Sequence, residues 1–133
     1  MMDRVVLPEL DHFSAPIFEQ VCQQYFWRQG LAGHLPFVPE QVGNWRQANQ
    51  EIDLVILNSE NATLVECKWT SRPIGVDILQ ELEAKVPAIA PEIGKRRITF
   101  ALCSRSGFTP QLEALAGERR NVQLFDWPAM ASG

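Results

Sequence analysis

Charged residues stand out in two neighbouring apolar segments of the chain. Glu51 and Asp53 belong to segment 51–57, and Glu66 and Lys68 belong to segment 62–69. Paired carboxylates can bind a hard divalent cation such as Mg²⁺, which prefers oxygen ligands. A nearby lysine can position a water molecule, act as a base if its pKa falls, or stabilise charge on a phosphoryl group. These residue types therefore indicate metal-assisted phosphoryl chemistry, provided that the fold brings them together.

A β-hairpin would bring these residues together. Both segments are rich in β-branched and aliphatic residues, and the Asn-Ser-Glu-Asn sequence at 58–61 between them is typical of a turn. A symmetric turn pairs Leu57 with Ala62, which places Asp53 opposite Glu66 and Glu51 opposite Lys68. Strand alternation then puts these charged residues on one face. The opposite face, predicted to lie in the core, carries Ile52, Leu54, Ile56, Val65, Cys67 and Trp69.

The charge pattern leaves two interpretations open. Directly opposed carboxylates repel each other, so the Asp53–Glu66 pair favours a cation site over a purely structural role. Alternatively, Glu66 and Lys68 are ordinary solvent-facing residues. Glu83-Ala-Lys85 has the same acid-x-lysine spacing but falls in a predicted helix, so we interpret it as a surface pattern. Glu19, at the edge of the apolar stripe of the first helix, either assists a metal through water or is solvated.

The remaining elements predict an α/β fold with a mixed sheet flanked by helices. Ser14 and Pro16 begin a helix that ends at Gly30, and 42–46 is a short strand. A second helix covers 76–86 and stops at Pro87, and 88–95 is a connection. Strands at 97–103 and 122–125 flank a helix that Thr109 caps and Gly117 closes. Residues 1–13 are predicted to be a tail or the remnant of an upstream segment, and 14–133 a single domain.

Composition limits the function classes. The 133-residue chain has a formal net charge of −4, which counts against strong non-specific DNA binding by this chain alone. Its only basic cluster, Lys95, Arg96 and Arg97, either contacts a phosphate backbone or is a solvated loop. The three cysteines are odd in number and lack C-x-x-C spacing, so we expect small buried residues rather than disulfides or a zinc site. Free thiols, with no signal peptide or membrane span, favour the cytoplasm.

The motif residues resemble a known nuclease superfamily. Ile52-Asp53, followed by Val65-Glu66-Cys67-Lys68-Trp69, resembles the PD-(D/E)xK superfamily, which has the restriction-endonuclease-like fold. Ile52 stands where that pattern has proline. More narrowly, the chain from about residue 14 onward is similar to the nuclease-like C-terminal domain of unknown function in certain archaeal and bacterial AAA-type ATPases. The matching residues run from Phe18-Glu19 through Val42-Gly-Asn-Trp45 and Glu66-Cys-Lys-Trp69 to Ser106-Gly-Phe-Thr109.

The resemblance implies an αβββαβ core with an extra helix and strand, and it assigns roles to site residues. Asp53 and Glu66 would bind Mg²⁺ or Mn²⁺, with the backbone carbonyl of Cys67 as a third ligand. Lys68 would be catalytic, Glu19 would match the helix glutamate of many members, and Glu51 is an accessory candidate. DNA is the implied substrate.

Two functions stay open from the sequence. One is a metal-dependent endonuclease linked to an ATPase. The other is a catalytically silent nuclease-fold module for DNA binding or protein docking. The chain itself has no Walker phosphate loop, so an ATPase partner would be fused or separate. A homodimer is also left open.

Overall fold

The computed structural model describes residues 15–33, 35 and 37–132. The predicted tail at 1–13 and the capping residue Ser14 lie outside the described residues. The helices and strands run in the order α1 (Ala15–Leu31), β1 (Gln41–Gln47), β2 (Gln50–Leu57), β3 (Asn61–Lys68), α2 (Val76–Glu83), α3 (Val86–Ile93), β4 (Arg97–Ser104), α4 (Pro110–Glu118), β5 (Val122–Asp126) and α5 (Trp127–Ser132).

The strands form one five-stranded mixed sheet with the order β1-β2-β3-β4-β5. β1, β2 and β3 form an antiparallel meander, and β4 and β5 then pair in parallel with the strand before each of them. The short turn at 58–61 permits the antiparallel hairpin, whereas the parallel pairs require crossover connections, which α2, α3 and α4 provide. The predicted α/β fold with a mixed sheet and flanking helices is confirmed.

Helices cover both faces of the sheet. On one face, α1 packs Phe18, Cys22 and Phe26 into a core with Leu54 and Val65. On the other face, the crossover helices pack against a second core. That core includes Ile52, Val55, Leu64, Leu79, Leu82, Ile89, Ile93, Phe100, Leu102 and Leu112. The apolar residues Val55 and Leu64, on the face predicted to carry the charged residues, are thus buried beneath the crossover helices.

A β-bulge interrupts β2 at Asp53. Gly43 pairs with Val55 and Trp45 pairs with Ile52, so that Asp53 and Leu54 together stand opposite the single residue Asn44. Alternation fails at this point, and Ile52 packs in the same core as Val55 rather than with Leu54. The predicted shared face of Ile52, Leu54 and Ile56 is thus wrong for Ile52. The predicted shared face of Asp53 with Glu66 and Lys68 is wrong as well, because Asp53 borders a cavity with Leu54 and the α1 residue Glu19, whereas Glu66 alternates with Val65 and Cys67, which face α1. Bulges re-aim side chains and are frequent beside active sites.

The turn and register predictions for the hairpin are confirmed over its outer part. The Asn58 side chain accepts hydrogen bonds from the backbone N–H groups of Glu60 and Asn61, as an Asx turn does. Leu57 pairs with Ala62, and the pairing continues to Leu54 and Val65. Beyond that pair the backbone pairing of β2 with β3 ends, and the Asp53 side chain accepts the backbone N–H of Cys67.

The predicted helix at 76–86 and the predicted connection at 88–95 both differ from the structure, because α2 ends at Glu83 and α3 covers Val86–Ile93. Pro87 does not end the helical region, and the predicted connection 88–95 is mostly α3. Pro87 is tolerated because it lies in the first turn of α3, where backbone N–H groups lack helical partners. Pro91 lies inside α3. Complete burial of Ile89 and Ile93 against the sheet offsets its cost.

The C-terminal elements mostly follow the sequence pattern. Thr109 caps α4 as predicted, its hydroxyl accepting the N–H of Leu112 at 3.2 Å. The helix continues one residue past Gly117, and α5 was not predicted. Among the described helices, none is long and apolar enough to cross a membrane.

Candidate active site

Asp53 lies where the backbone pairing of β2 with β3 ends. Its side chain is buried, and Oδ2 accepts a hydrogen bond of 2.8 Å from the backbone N–H of Cys67. The carboxylate therefore replaces a strand–strand hydrogen bond and is fixed beside the Glu66-Cys67 peptide. Among the residues that the structure describes, no cation lies within ion-pair distance of Asp53.

Glu66 lies on β3 next to Asp53 and faces two lysines. Lys68 Nζ is 3.3 Å from Oε2, and Lys85 Nζ is 3.8 Å from Oε1. The Glu66 side chain is only 12% exposed. Oε1 is buried and has no hydrogen-bond partner. A buried carboxylate oxygen that accepts no hydrogen bond is costly, so this atom is well suited to accept a ligand.

Glu19 projects from α1 towards the same place. It lines a cavity of about 380 Å³ that also borders Gln23, Asn44, Asp53 and Leu54. Burial, followed by repulsion from Asp53, Glu51 and Glu66, raises the pKa of Glu19 to about 7. The structure thus brings the helix glutamate, suggested only weakly by its position on the apolar stripe, to the Asp53 side of the site.

The pKa values of Asp53 and Glu66 are also raised. Burial is the largest cause for both residues, and repulsion from Asp53 adds to it at Glu66. The hydrogen bond from Cys67 and the charges of Lys68 and Lys85 act in the opposite direction without cancelling the increase. The site therefore concentrates negative charge in a poorly solvated place, which favours either protons or a cation.

The residues present fit a divalent cation. The donor atoms are carboxylate oxygens, which Mg²⁺ and Mn²⁺ prefer, and one of them is buried and accepts no hydrogen bond. Asp53 and Glu66 lie on adjacent strands where the backbone pairing ends, with Glu19 approaching from the helix. A cation bound there would offset the repulsion that, after burial, contributes to the three raised pKa values.

Glu51 does not pair with Lys68. It stands opposite Arg46 on β1, and its carboxylate accepts hydrogen bonds from the Arg46 guanidinium, with Nε at 3.1 Å and Nη2 closer. The bulge at Asp53 shifts the inner end of β2, so the predicted cross-strand partner of Glu51 is wrong. Glu51 still acts on the site electrostatically, because its charge raises the pKa values of Glu19 and Asp53.

Lys85 is the site residue that the sequence reasoning missed. The Glu83-Ala-Lys85 triplet was interpreted as a surface pattern, yet Lys85 donates a hydrogen bond of 2.6 Å to the backbone carbonyl of Glu51 and faces Glu66. Glu83 instead binds Arg119. The available signal was the position of Lys85 three residues after the buried Leu82, a helical spacing that favours the side facing the sheet, although Lys85 itself lies in the turn between α2 and α3.

The basic cluster lies far from these carboxylates. Arg97 pairs with Asn61 at the start of β3, five positions before Glu66, which corresponds to about 16 Å along the strand. Arg96 Nε donates to the backbone carbonyl of Asn58, so its guanidinium is used in local structure. With Lys95, these residues border a cavity at the opposite end of the sheet. The structure does not bring the predicted nucleic-acid contact to the candidate site.

Cys67 and Trp69, the residues that alternate with Glu66 and Lys68, pack towards the core as the strand alternation predicted. The Cys67 side chain is buried beneath α1, and Trp69 packs against the same core. The Trp69 ring contacts Phe18 and Trp127, and the guanidinium of Arg105 lies over it. These residues support the end of β3 that carries Glu66 and Lys68.

The sequence comparisons identify one family. The model of the DUF234 family, described as archaeal and bacterial proteins of unknown function, matches residues 1–86, about two thirds of the chain. The matched part contains Glu19, Asp53, Glu66, Lys68 and Lys85. No curated protein sequence matches the chain.

Solved structures share the fold at low sequence identity. A repair endonuclease from Pyrococcus abyssi is similar with a TM-score of 0.56 and 13% identity, over 82% of this chain and 46% of that one. AF1548, a protein of unknown function, has a TM-score of 0.51 and 18% identity, over 83% and 58%. EndoMS in a complex with double-stranded DNA has a TM-score of 0.46 and 15% identity, over 77% and 43%. The chain spans about half the length of these proteins.

Proposed function

The chain belongs to the DUF234 family, and on its site geometry we propose that it hydrolyses phosphodiester bonds of DNA with Mg²⁺ or Mn²⁺. The observation that carries the proposal is the buried Oε1 of Glu66, which accepts no hydrogen bond and lies beside Asp53, with Lys68 within 3.3 Å of the same carboxylate. A stable fold alone does not require adjacent buried carboxylates. A cation and a phosphate-directed lysine together account for them.

Each residue has a separate part in this proposal. Asp53 and Glu66 would hold the cation, and the Cys67 carbonyl is the third candidate ligand. When bound, the cation supplies charge neutralisation at a phosphoryl group and lowers the pKa of water. Lys68 lies one-third exposed at the rim, where its ammonium can orient a water molecule or a phosphate oxygen. Glu19, with a pKa of about 7, can accept a proton at neutral pH.

The fold likeness supports this proposal in a limited way. One protein with a similar fold is a repair endonuclease, although at 13% identity the likeness concerns the fold alone. An AAA-type ATPase partner, fused or separate, a homodimer and a cytoplasmic location stay predictions from the sequence.

A cleavage assay tests the proposed activity. Plasmid, linear duplex, single-stranded and mismatched DNA, together with RNA, are incubated with Mg²⁺, Mn²⁺ or EDTA. We expect cation-dependent cleavage by the wild type, lost in Asp53→Asn and Lys68→Ala. Glu83→Gln serves as a matched control, because Glu83 has the same acid-x-lysine context but binds Arg119 away from the site. Cleavage that persists in Asp53→Asn, or that is lost equally in Glu83→Gln, would contradict the assignment.

The second candidate is a catalytically silent module that docks to DNA or to a protein. The net charge of −4 and the remote position of the basic cluster favour it, because neither provides a cationic groove at the carboxylates. This function predicts no cleavage under any condition and DNA binding that Asp53→Asn does not weaken. Gel-shift titrations in EDTA, with Arg97→Ala as the variant of the remote cluster, separate the two candidates.

A further inference from the structure

The three cysteines of the chain meet inside the core between α1 and the sheet. Cys22 comes from α1, Cys67 from β3 and Cys103 from the paired position on β4. Their sulfur atoms all lie within 4.8 Å of one another. All three are free thiols, and Cys22 and Cys103 are completely buried. The sequence predicted their burial but not their convergence, because the residues are 36 or more positions apart.

We propose that Cys22, Cys67 and Cys103 form a three-coordinate binding site for a thiophilic ion, with Cu(I) the favoured ion. Each Cu–S bond would form on a thiolate, and the displaced thiol protons would leave to solvent. This site lies on the α1 side of β3, whereas Glu66 and Lys68 project to the opposite side of that strand. The proposal goes beyond the phosphodiesterase function and does not depend on it.

The spacing of the sulfur atoms suits three metal–sulfur bonds. A planar three-coordinate site with bonds of about 2.3 Å separates its sulfur atoms by about 4.0 Å. The observed separations, none above 4.8 Å, therefore need to contract by less than about 1 Å. Each ligand comes from a different element, so one ion would connect α1 directly to two central strands.

The surroundings favour a soft ion with few ligands. The cluster lies among Phe18, Phe26, Leu54, Val65 and Ala101, which supply no donor atom. Among the described residues, the group of nearby metal-ligating side chains here consists of the three thiols alone. Structural Zn²⁺ sites are almost always four-coordinate, whereas thiolates select Cu(I) among soft ions. A monovalent ion with three sulfur ligands therefore matches this pocket better than zinc.

Ion binding can be measured on the whole chain. Fully reduced protein is titrated anaerobically with Cu(I) in competition with a chromophoric chelator, and X-ray absorption determines the ligand shell. We expect one ion per chain, three sulfur neighbours at about 2.3 Å, and an increase in the melting temperature. The increase follows because an ion that binds only the folded state stabilises it, by about 2.7 kcal/mol at a hundred times Kd.

Variants show whether the cluster is responsible. Cys22→Ala should leave two sulfur neighbours, and Cys22→Ala/Cys103→Ala should lose the tight binding and the thermal shift. Val65→Ala is the matched control, because it removes buried volume from the same core but keeps all three thiols. It should melt lower than the wild type and yet retain the full shift with Cu(I).

Several results would overturn the proposal. One is Cu(I) binding by the double variant that is as tight as binding by the wild type. Another is a wild-type Cu(I) shell with two sulfur ligands, and a third is loss of the Cu(I)-induced increase in melting temperature in Val65→Ala. Preferential Zn²⁺ binding, with a tetrahedral spectrum after Co²⁺ substitution, would also overturn it, because a fourth donor would then complete the site. If the double variant fails to fold, the coordination number in Cys22→Ala still decides.

Discussion

Replacing Asp53 by asparagine should make the protein more stable than the wild type without metal and less stable than the wild type with metal. The change removes one negative charge but keeps a side-chain oxygen that can accept the Cys67 N–H, now 2.8 Å from Oδ2. Because burial and neighbouring charge raise the pKa of Asp53, the folded protein favours the neutral form at this position. Without metal, the variant should therefore be the more stable protein.

The expected size of the effect follows from opposing contributions. Two like charges about 4 Å apart repel by about 4 kcal/mol at an effective dielectric constant near 20, and by less at larger separations. Lys68 and Lys85 cancel part of this repulsion, and a neutral acceptor makes the hydrogen bond about 1 kcal/mol weaker. We expect a net gain of about 1 kcal/mol in EDTA at pH 8, or about 4 °C in melting temperature for a domain of this size. A cation at a hundred times Kd should add about 2.7 kcal/mol to the wild type and almost nothing to the variant.

Thermal and urea unfolding in EDTA and in Mn²⁺ measure both quantities. Asp77→Asn is the matched control, since it makes the same chemical change on an exposed helix turn. It should lower stability by no more than a few tenths of a kcal/mol and leave the Mn²⁺ shift intact. The reasoning is refuted if Asp53→Asn is less stable than wild type in EDTA, or if it gains as much from Mn²⁺.

Three further results are expected. The pKa of Glu19 is raised to about 7, so the stability that this residue contributes is complete below its unfolded pKa of 4.5 and is lost as pH rises towards 7. Glu19→Gln should reduce this loss when the melting temperature of metal-free protein is plotted against pH, and parallel plots for variant and wild type would contradict the prediction. Lys85→Met leaves the Glu51 carbonyl without its donor and leaves Glu66 with Lys68 but without its second lysine. Unfolding in EDTA should therefore be easier by about 1–3 kcal/mol, and calorimetry at pH 8 should show tighter Mn²⁺ binding, whereas unchanged affinity would exclude an effect of Lys85 on Glu66. Pro91→Ala relieves a proline inside α3 and should raise stability by about 1–2 kcal/mol, and a loss in urea unfolding would show that Pro91 does not strain the helix.

Much of the fold follows from local sequence patterns. Alternating apolar residues predict β2 and β3, the Asn58 turn sets their outer register, and Thr109 with Pro110 predicts the start of α4. α3 was missed because its prolines argue against a helix locally. Its stability comes from the burial of Ile89 and Ile93 against strands that are distant in sequence.

Part of the site was also predictable from local sequence patterns. Asp53, Glu66 and Lys68 stand out because they interrupt apolar segments, and the structure places them together. The bulge at Asp53 was not predictable, because it depends on how β1 pairs with β2 on the side away from the hairpin turn. It redirects Glu51 to Arg46, and the position of Lys85 next to Glu66 likewise depends on how α2 packs.

The hairpin and its charged residues are therefore properties of the sequence itself, since alternation and turn chemistry act over a few residues. Tertiary structure alone decided which groups meet from distant segments. It brought Glu19 to Asp53, Lys85 to Glu66, and Cys22 to the paired Cys67 and Cys103. The physical reason is that helix packing is determined by burial of whole apolar faces, and the distances between individual side chains follow only after that packing is complete.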